Sequence, residues 1–388
     1  MGHASTMSCA LACLTTLLSG PLAFGEPICR TIDPLVTDPE ISELVGFDLP
    51  AIRDFDHTAC IDPSRGLPSR LLVFLPGSGG LPSDYTEVVR FAAEIGFASV
   101  GIAYQSTPSV QELLSAPVEP QESERIRRER LFGEPLSERV EVTRADSIEN
   151  RLFALLVWLA AEHPSEGWEA FIDAGNERPD WSRIVVAGHS QGAGHAAYLT
   201  RDIRLAGAVL FAGPGDNIPG FGPAPWLSRP PVTPNRRTAA FIHLDDPITP
   251  GSLDRQRLLG LDAFGPVDLA DARPPAAMTS HMLTSARPVP LQDAHGAPVV
   301  DFRLPRDAGG ENVYESVWYY LLQTARPGSC AADLAPPFGV LDLADINAFT
   351  NGFVDRSPAS DIGEPFGVFD LADVLGFIAS FEAGCGNL

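Results

Sequence analysis

Across 388 residues the chain carries 50 acidic side chains against 27 basic ones, all arginine, for a formal net charge of −23. That balance speaks against nucleic acid or an anionic membrane surface as a partner, and past the N-terminus no segment is apolar for long enough to span a bilayer. The length suits one large domain with a small second module, at roughly 100–200 residues per domain.

Residues 1–25 read as a signal peptide, which would make the product secreted or cell-surface. An apolar run at 7–18 (MSCALACLTTLL) is followed by small residues for cleavage before Glu26, although no Lys or Arg precedes it. The other reading is a buried or disordered N-terminal helix. Cys9 and Cys13 would leave with the signal. Cys29, Cys60, Cys330 and Cys385 remain, and four cysteines admit three connectivities. Pairing Cys29 with Cys60 and Cys330 with Cys385 closes one local segment each. Four free thiols in the cytosol are the alternative, and no C-x-x-C spacing supports zinc.

Residues 26–65 form an Asp- and Pro-rich arm with one strand-like piece near 52–56. Residues 70–75 (RLLVFL) are a strand buried on both faces. The glycine-rich 76–80 follows, and then a helix over 83–94 capped by Ser83 or Asp84. Residues 97–104 (FASVGIAY) are the next strand. Residues 108–146 are polar and charged and form an insertion with two readings, a lid over the catalytic edge or a solvated helical excursion. An amphipathic helix over 147–161 leads back to the sheet.

The segment 183–201 (RIVVAGHSQGAGHAAYLTR) organises the chain. A short β-branched strand at 184–187 runs into Gly188-His189-Ser190-Gln191-Gly192 and then a small-residue helix over 193–201. Strand, G-x-S-x-G, helix is a nucleophile elbow, which projects the serine Oγ from the C-terminal end of a central strand. Gly188 and Gly192 flank it because a Cβ there collides with the neighbouring strand or helix. The Gln191 N–H at the helix start then faces a developing oxyanion, and Ser78 or Gly79 supplies a second N–H. A plain tight βα turn is the bland alternative.

After the elbow come a strand at 206–211, a Pro- and aromatic-rich loop at 221–234, and a strand at 238–244 (TAAFIHL). Trp226 in the loop either lines the substrate pocket or pins the loop. Asp245-Asp246-Pro247 follows the later strand, two beyond the elbow. A triad acid belongs there, with Asp246 favoured, Asp245 the runner-up and Asp216 a weaker choice one strand earlier. The histidine comes later still. Only His281 and His295 follow the acid; His281 opens a strand and His295 lies in the loop after it, so His295 is favoured. His189, His195 and His243 read as structural, and His57 and His163 have no constellation. A closing helix spans 311–324.

On LPGSGG at 75–80, DSIENRL at 146–152, GHSQGAGHAAY at 188–198 and APWLSRP at 224–230, residues 26–325 resemble a bacterial α/β-hydrolase family without a settled substrate. The resemblance implies an α/β-hydrolase fold, a mostly parallel sheet flanked by helices. It also implies a serine hydrolase with Ser190, Asp246 and His295 as its triad, a chemistry that needs no cofactor.

Beyond a linker, residues 326–388 repeat themselves: 333–345 (DLAPPFGVLDLAD) matches 361–373 (DIGEPFGVFDLAD), each unit an acidic loop before a short apolar helix, at 346–353 and 374–381. This looks like a dockerin-type module, which implies carboxylates around calcium and attachment to a cell-surface or matrix protein. Asp333, Asp342, Asp345, Asp361, Asp370 and Asp373 are the candidate ligands. The third and fifth loop positions are Ala335 and Pro337, or Gly363 and Pro365, where such loops carry Asp or Asn. A disulfide-stapled helical pair without metal, its aspartates capping helices, is the alternative.

These readings converge on a secreted serine hydrolase acting on a small-molecule or polymer ester. A non-catalytic hydrolase-fold binding protein anchored by its C-terminal module, and an acyltransferase on the same triad, are the rivals.

Overall fold

The computed structural model describes residues 26–42, 55–115, 117–262, 265–269, 280–289, 293–324, 332, 334, 341–356, 360, 362 and 368–383. The proposed signal peptide, most of the linker, Cys330, Cys385, Asp333 and Asp361 lie outside them. Nine strands form the central sheet: β1 Ile28–Ile32, β2 His57–Ile61, β3 Leu71–Leu75, β4 Ala98–Gly101, β5 Ile184–His189, β6 Gly207–Phe211, β7 Thr238–His243, β8 Pro266–Asp268 and β9 Met282–Ser285. Their order is β1-β2-β4-β3-β5-β6-β7-β9-β8. Pairing is antiparallel at β1–β2 and β2–β4 and parallel across the remaining pairs. Strand β8 carries little apolar signal and is not evident in the sequence. The 26–65 segment, read as an arm with one strand-like piece near 52–56, instead supplies two strands of the sheet, β1 and β2, residues 51–54 lying outside the described ones. A disulfide joins Cys29 to Cys60, which face each other across β1 and β2.

Both faces of the sheet are covered, which is why its strands read as continuous apolar runs. Along β3, Leu71, Val73 and Leu75 point into one core and Leu72 and Phe74 into the other, following the two-residue period of a strand. Helices α3 (Ile148–Glu162) and α4 (Gln191–Asp202) cover the first face, and α1 (Thr86–Glu94) and α6 (Glu315–Thr324) the second. Helix α5 (Thr249–Leu258) follows β7.

Two expectations of local structure are corrected. Neither Ser83 nor Asp84 caps α1: a 3₁₀ turn occupies Pro82–Tyr85, and Asp84 turns back to accept from the Leu81 N–H at 2.9 Å. The free N–H groups of Thr86 and Glu87 donate instead to the Asp301 carboxylate, at 2.8 and 3.2 Å. The charge run of the insertion is not a solvated excursion. It forms helix α2 (Glu122–Phe132), in which Glu122, Arg127, Glu129 and Arg130 are buried. Arg127 pairs with Asp216, and Arg130 Nη1 donates to Gln191 Oε1 at 2.8 Å. Charges this deep are retained only when paired, so the insertion is clamped onto the elbow helix.

Near the C-terminus, helices α7 (Leu343–Val354) and α8 (Leu371–Ala383) share a small cluster in which Phe349 stacks on Phe377 at 4.2 Å. Among the described residues no three carboxylates or imidazoles converge as metal ligands would. The four described aspartates of the repeat accept from backbone N–H groups. Asp342 takes Ala344 N and Asp370 takes Ala372 N, each at 2.7 Å, while Asp345 takes Asp342 N and Asp373 takes Asp370 N, each at 2.9 Å.

Candidate active site

Ser190 sits between β5 and α4 with φ 53° and ψ −111°, a left-handed conformation that a non-glycine residue holds only under constraint. The constraint is steric. A Cβ on Gly188 would run into the backbone of Gly192, and one on Gly192 into the Leu75 carbonyl. Strand β5, strand β3 and helix α4 therefore meet with no room for a side chain. The Ser190 N–H donates to Phe211 O at 2.8 Å, and Oγ is left facing outward from the C-terminal end of β5.

Asp246 and His295 follow the C-terminal ends of β7 and β9, so all three groups gather at one edge of the parallel strands, where such sheets place their sites. His295 Nε2 lies 2.9 Å from Ser190 Oγ, and His295 Nδ1 lies 2.7 Å from Asp246 Oδ2. Asp246 is 2% exposed, and its Oδ1 accepts from the Ile248 N–H at 3.0 Å. A carboxylate can only accept, so the His295 proton belongs on Nδ1 and Nε2 is free to accept from the serine hydroxyl. Asp245 is exposed. Asp216 is committed to Arg127. Burial alone would raise its carboxyl, but the Arg127 guanidinium outweighs that and holds it below the usual range.

His281 stands at the start of β9, where Nδ1 bonds the Thr238 carbonyl at 2.8 Å. Because β7 and β9 run parallel, that is the opposite edge of the sheet from Asp246. The loop around His295 is braced locally: Asp293 accepts from the Gly296 N–H at 3.1 Å and pairs with Arg303 at 2.5 Å.

The two candidates for the second oxyanion donor are not equivalent. Gly79 N–H already donates to Ser106 Oγ at 3.2 Å, whereas Ser78 is exposed and its N–H has no partner among the described residues. Gln191 begins α4, and its N–H has no intrahelical acceptor. Its side chain is a hub, accepting from Val110 N at 2.7 Å and donating to Ser106 O at 2.9 Å.

Trp226 does not line an open pocket. It is 1% exposed, its Nε1–H donates to Ser123 Oγ at 3.1 Å, and its ring meets Tyr198 edge-on at 5.3 Å. The indole N–H needs a buried partner, and helix α2 supplies it. A surface groove of about 640 Å³ lined by Arg128, Arg144, Arg178 and Arg201 includes none of Ser190, Asp246 and His295.

Two features escape the sequence reading. His189, which reads as structural in the sequence, stacks obliquely on His295 with ring centroids 4.8 Å apart. Ser123, Arg127 and Arg130 share one face of α2 and grip Asp216 and Gln191. Their i, i+4, i+7 spacing was the available signal.

No protein-family model matches the chain, and no curated protein matches it in sequence. Among solved structures it is similar in outline to a protein described as a dienelactone hydrolase from Klebsiella pneumoniae subsp. pneumoniae MGH 78578, at 11% identity over 77% of this chain and 98% of that one, with a TM-score of 0.39. It is also similar to esterase B from Lactobacillus rhamnosis, solved with a tributyrin phosphonate inhibitor, at 11% identity over 86% of this chain and 89% of that one, with a TM-score of 0.42. Overlap at this level carries no functional weight.

Proposed function

We propose that the chain is a serine hydrolase cleaving an ester-like bond through an acyl-enzyme. The observation that carries this reading is the continuous line of hydrogen bonds from Asp246 through His295 to Ser190 Oγ. Ser190 Oγ attacks the carbonyl carbon while His295 Nε2 takes its proton, and Asp246 steadies the imidazolium. The N–H groups of Gln191 and Ser78 receive the negative charge that builds on the carbonyl oxygen. His295 returns the proton to the departing alcohol. Water, deprotonated by the same imidazole, then releases the acid, and no cofactor enters these steps.

Fluorophosphonate labelling tests the reading, because phosphonylation requires an activated serine and no knowledge of the natural acyl group. The wild type is expected to label rapidly. Ser190→Ala is expected to lose labelling, His295→Ala to slow it at least about 10³-fold, and His281→Ala to retain it. A folded wild type that does not label, or a base that moves to His281, would sink the assignment.

Export and anchoring belong to the same proposal. The Cys29–Cys60 bond supports maturation in an oxidising compartment, in keeping with the apolar leader at 7–18. The duplicated helices α7 and α8 are proposed as an attachment module for a cell-surface or matrix protein.

A further inference from the structure

The elbow residue before the nucleophile is joined to the general base by a second route, separate from the triad. His189 is 5% exposed, and its Nε2 lies 3.0 Å from the backbone carbonyl of His295. Its Nδ1 lies 3.0 Å from the Tyr85 hydroxyl, and that hydroxyl accepts from the Gly77 N–H at 3.1 Å. Tyr85 is 2% exposed and packs on Phe74 with ring centroids 4.7 Å apart.

Every direction in this chain is forced. The His295 carbonyl can only accept, so the proton of a neutral His189 is on Nε2. Nδ1 then accepts, and the Tyr85 O–H is its donor. The Tyr85 oxygen in turn accepts from Gly77, whose backbone belongs to the loop carrying Ser78. Protonating His189 would place a second donor against Tyr85 and strand the phenol proton in a buried site. Burial first, then the His295 ring and Arg303, disfavour that charge and outweigh the His295 carbonyl, which favours it.

We propose that His189 and Tyr85 are positioning residues that lock the His295 loop to the oxyanion loop, so that base and oxyanion donors keep one geometry relative to Ser190. The lock passes through the backbone of His295 and leaves its ring free to shuttle the proton. There is little slack in it: a Cβ on Gly77 would stand 2.8 Å from His189 Nδ1 and 3.3 Å from Ser190 Cβ. Misplacing a reacting group by about 1 Å costs on the order of 10²-fold in rate.

This inference rests on the serine hydrolase reading, and two measurements separate their fates. Histidine-selective ¹⁵N spectra of the full chain read the His189 tautomer without any serine chemistry. The Nε2–H form, unchanged between pH 8 and 5, is expected; an Nδ1–H form, or titration near 6.5, would overturn the lock whether or not the serine reacts. The second measurement is the rate of fluorophosphonate labelling, with kcat and KM on p-nitrophenyl acetate, in His189→Phe, His189→Gln and Tyr85→Phe. His189→Phe is expected to lose about 10–100-fold in labelling rate and in kcat with KM unchanged. His189→Gln, which restores a donor to the His295 carbonyl, should recover much of that, whereas a purely structural role predicts no rescue. Tyr85→Phe removes one hydroxyl and covers the case in which His189→Phe fails to fold. Wild-type rates in Tyr85→Phe and His189→Gln together with wild-type rates in a folded His189→Phe would refute the lock. A wild type that never labels removes the hydrolase reading and leaves the tautomer to decide the lock.

Discussion

The guanidinium of Arg127 and the carboxylate of Asp216 face each other with only 2% and 0% of their side chains exposed. Arg127 Nη1 also reaches the Gln191 carbonyl at 3.3 Å, so one buried pair ties helix α2, the loop after β6 and the start of α4 together. Removing one partner leaves the other charge buried and uncompensated. Arg127→Leu or Asp216→Leu is expected to cost about 3–5 kcal/mol, and the double replacement clearly less than their sum. Urea unfolding of the three variants reads this, and strict additivity would mean that the two residues do not act as a pair.

Asp246 has divided its oxygens, Oδ1 to the Ile248 N–H and Oδ2 to His295. In Asp246→Asn the carbonyl oxygen stays with Ile248 and the amide N–H₂ turns to His295 Nδ1. That drives the imidazole proton onto Nε2, where it opposes the serine hydroxyl. A fall in kcat of about 10³–10⁴-fold is expected with folding intact. Asp245→Asn is expected to change little, and comparable losses in both variants would reopen the choice of acid.

His195 is fully buried, and neither ring nitrogen has a hydrogen-bond partner among the described residues. Burial first, then Arg127 and Arg130, keep it neutral far below its ordinary range. Its folded pKa is therefore depressed, and the unfolded chain takes up the proton that the folded one refuses. Stability from this group is complete above about pH 6.5 and falls as pH drops below it, by about 1.4 kcal/mol per pH unit. His195→Leu is expected to flatten the stability profile between pH 6.5 and 5 by that amount. Parallel profiles for the variant and the wild type would show that His195 titrates normally.

The Cys29–Cys60 bond closes a loop of sequence separation 31 and staples edge strand β1 to β2. Replacing both cysteines with serine is expected to lower unfolding stability by about 2–5 kcal/mol. Adding a reductant should reproduce that loss in the wild type and leave the double variant unmoved.

Much of this architecture is local chemistry and is legible residue by residue. The run at 70–75 reads as a strand covered on both faces because nothing polar interrupts it. The elbow reads as an elbow because only glycine fits at 188 and 192, and the apolar face of 147–161 reads as a helix, whose cap at Ser147 the structure adds. Chain order ranks the acids and histidines, since each must leave the sheet at the same edge. What remained open was decided by partners far away in sequence. The Gly79 N–H is occupied because Ser106 comes from another loop, while the Ser78 N–H has no partner among the described residues. The charges of α2 are buried because Asp216 and Gln191, on other elements, answer them. Trp226 is buried because Ser123 receives its N–H. His189 looked idle because its partners, Tyr85 and His295, stand 104 and 106 residues away. A burial pattern marks which face of an element is covered but carries no record of what covers it; that is settled only when the chain closes on itself.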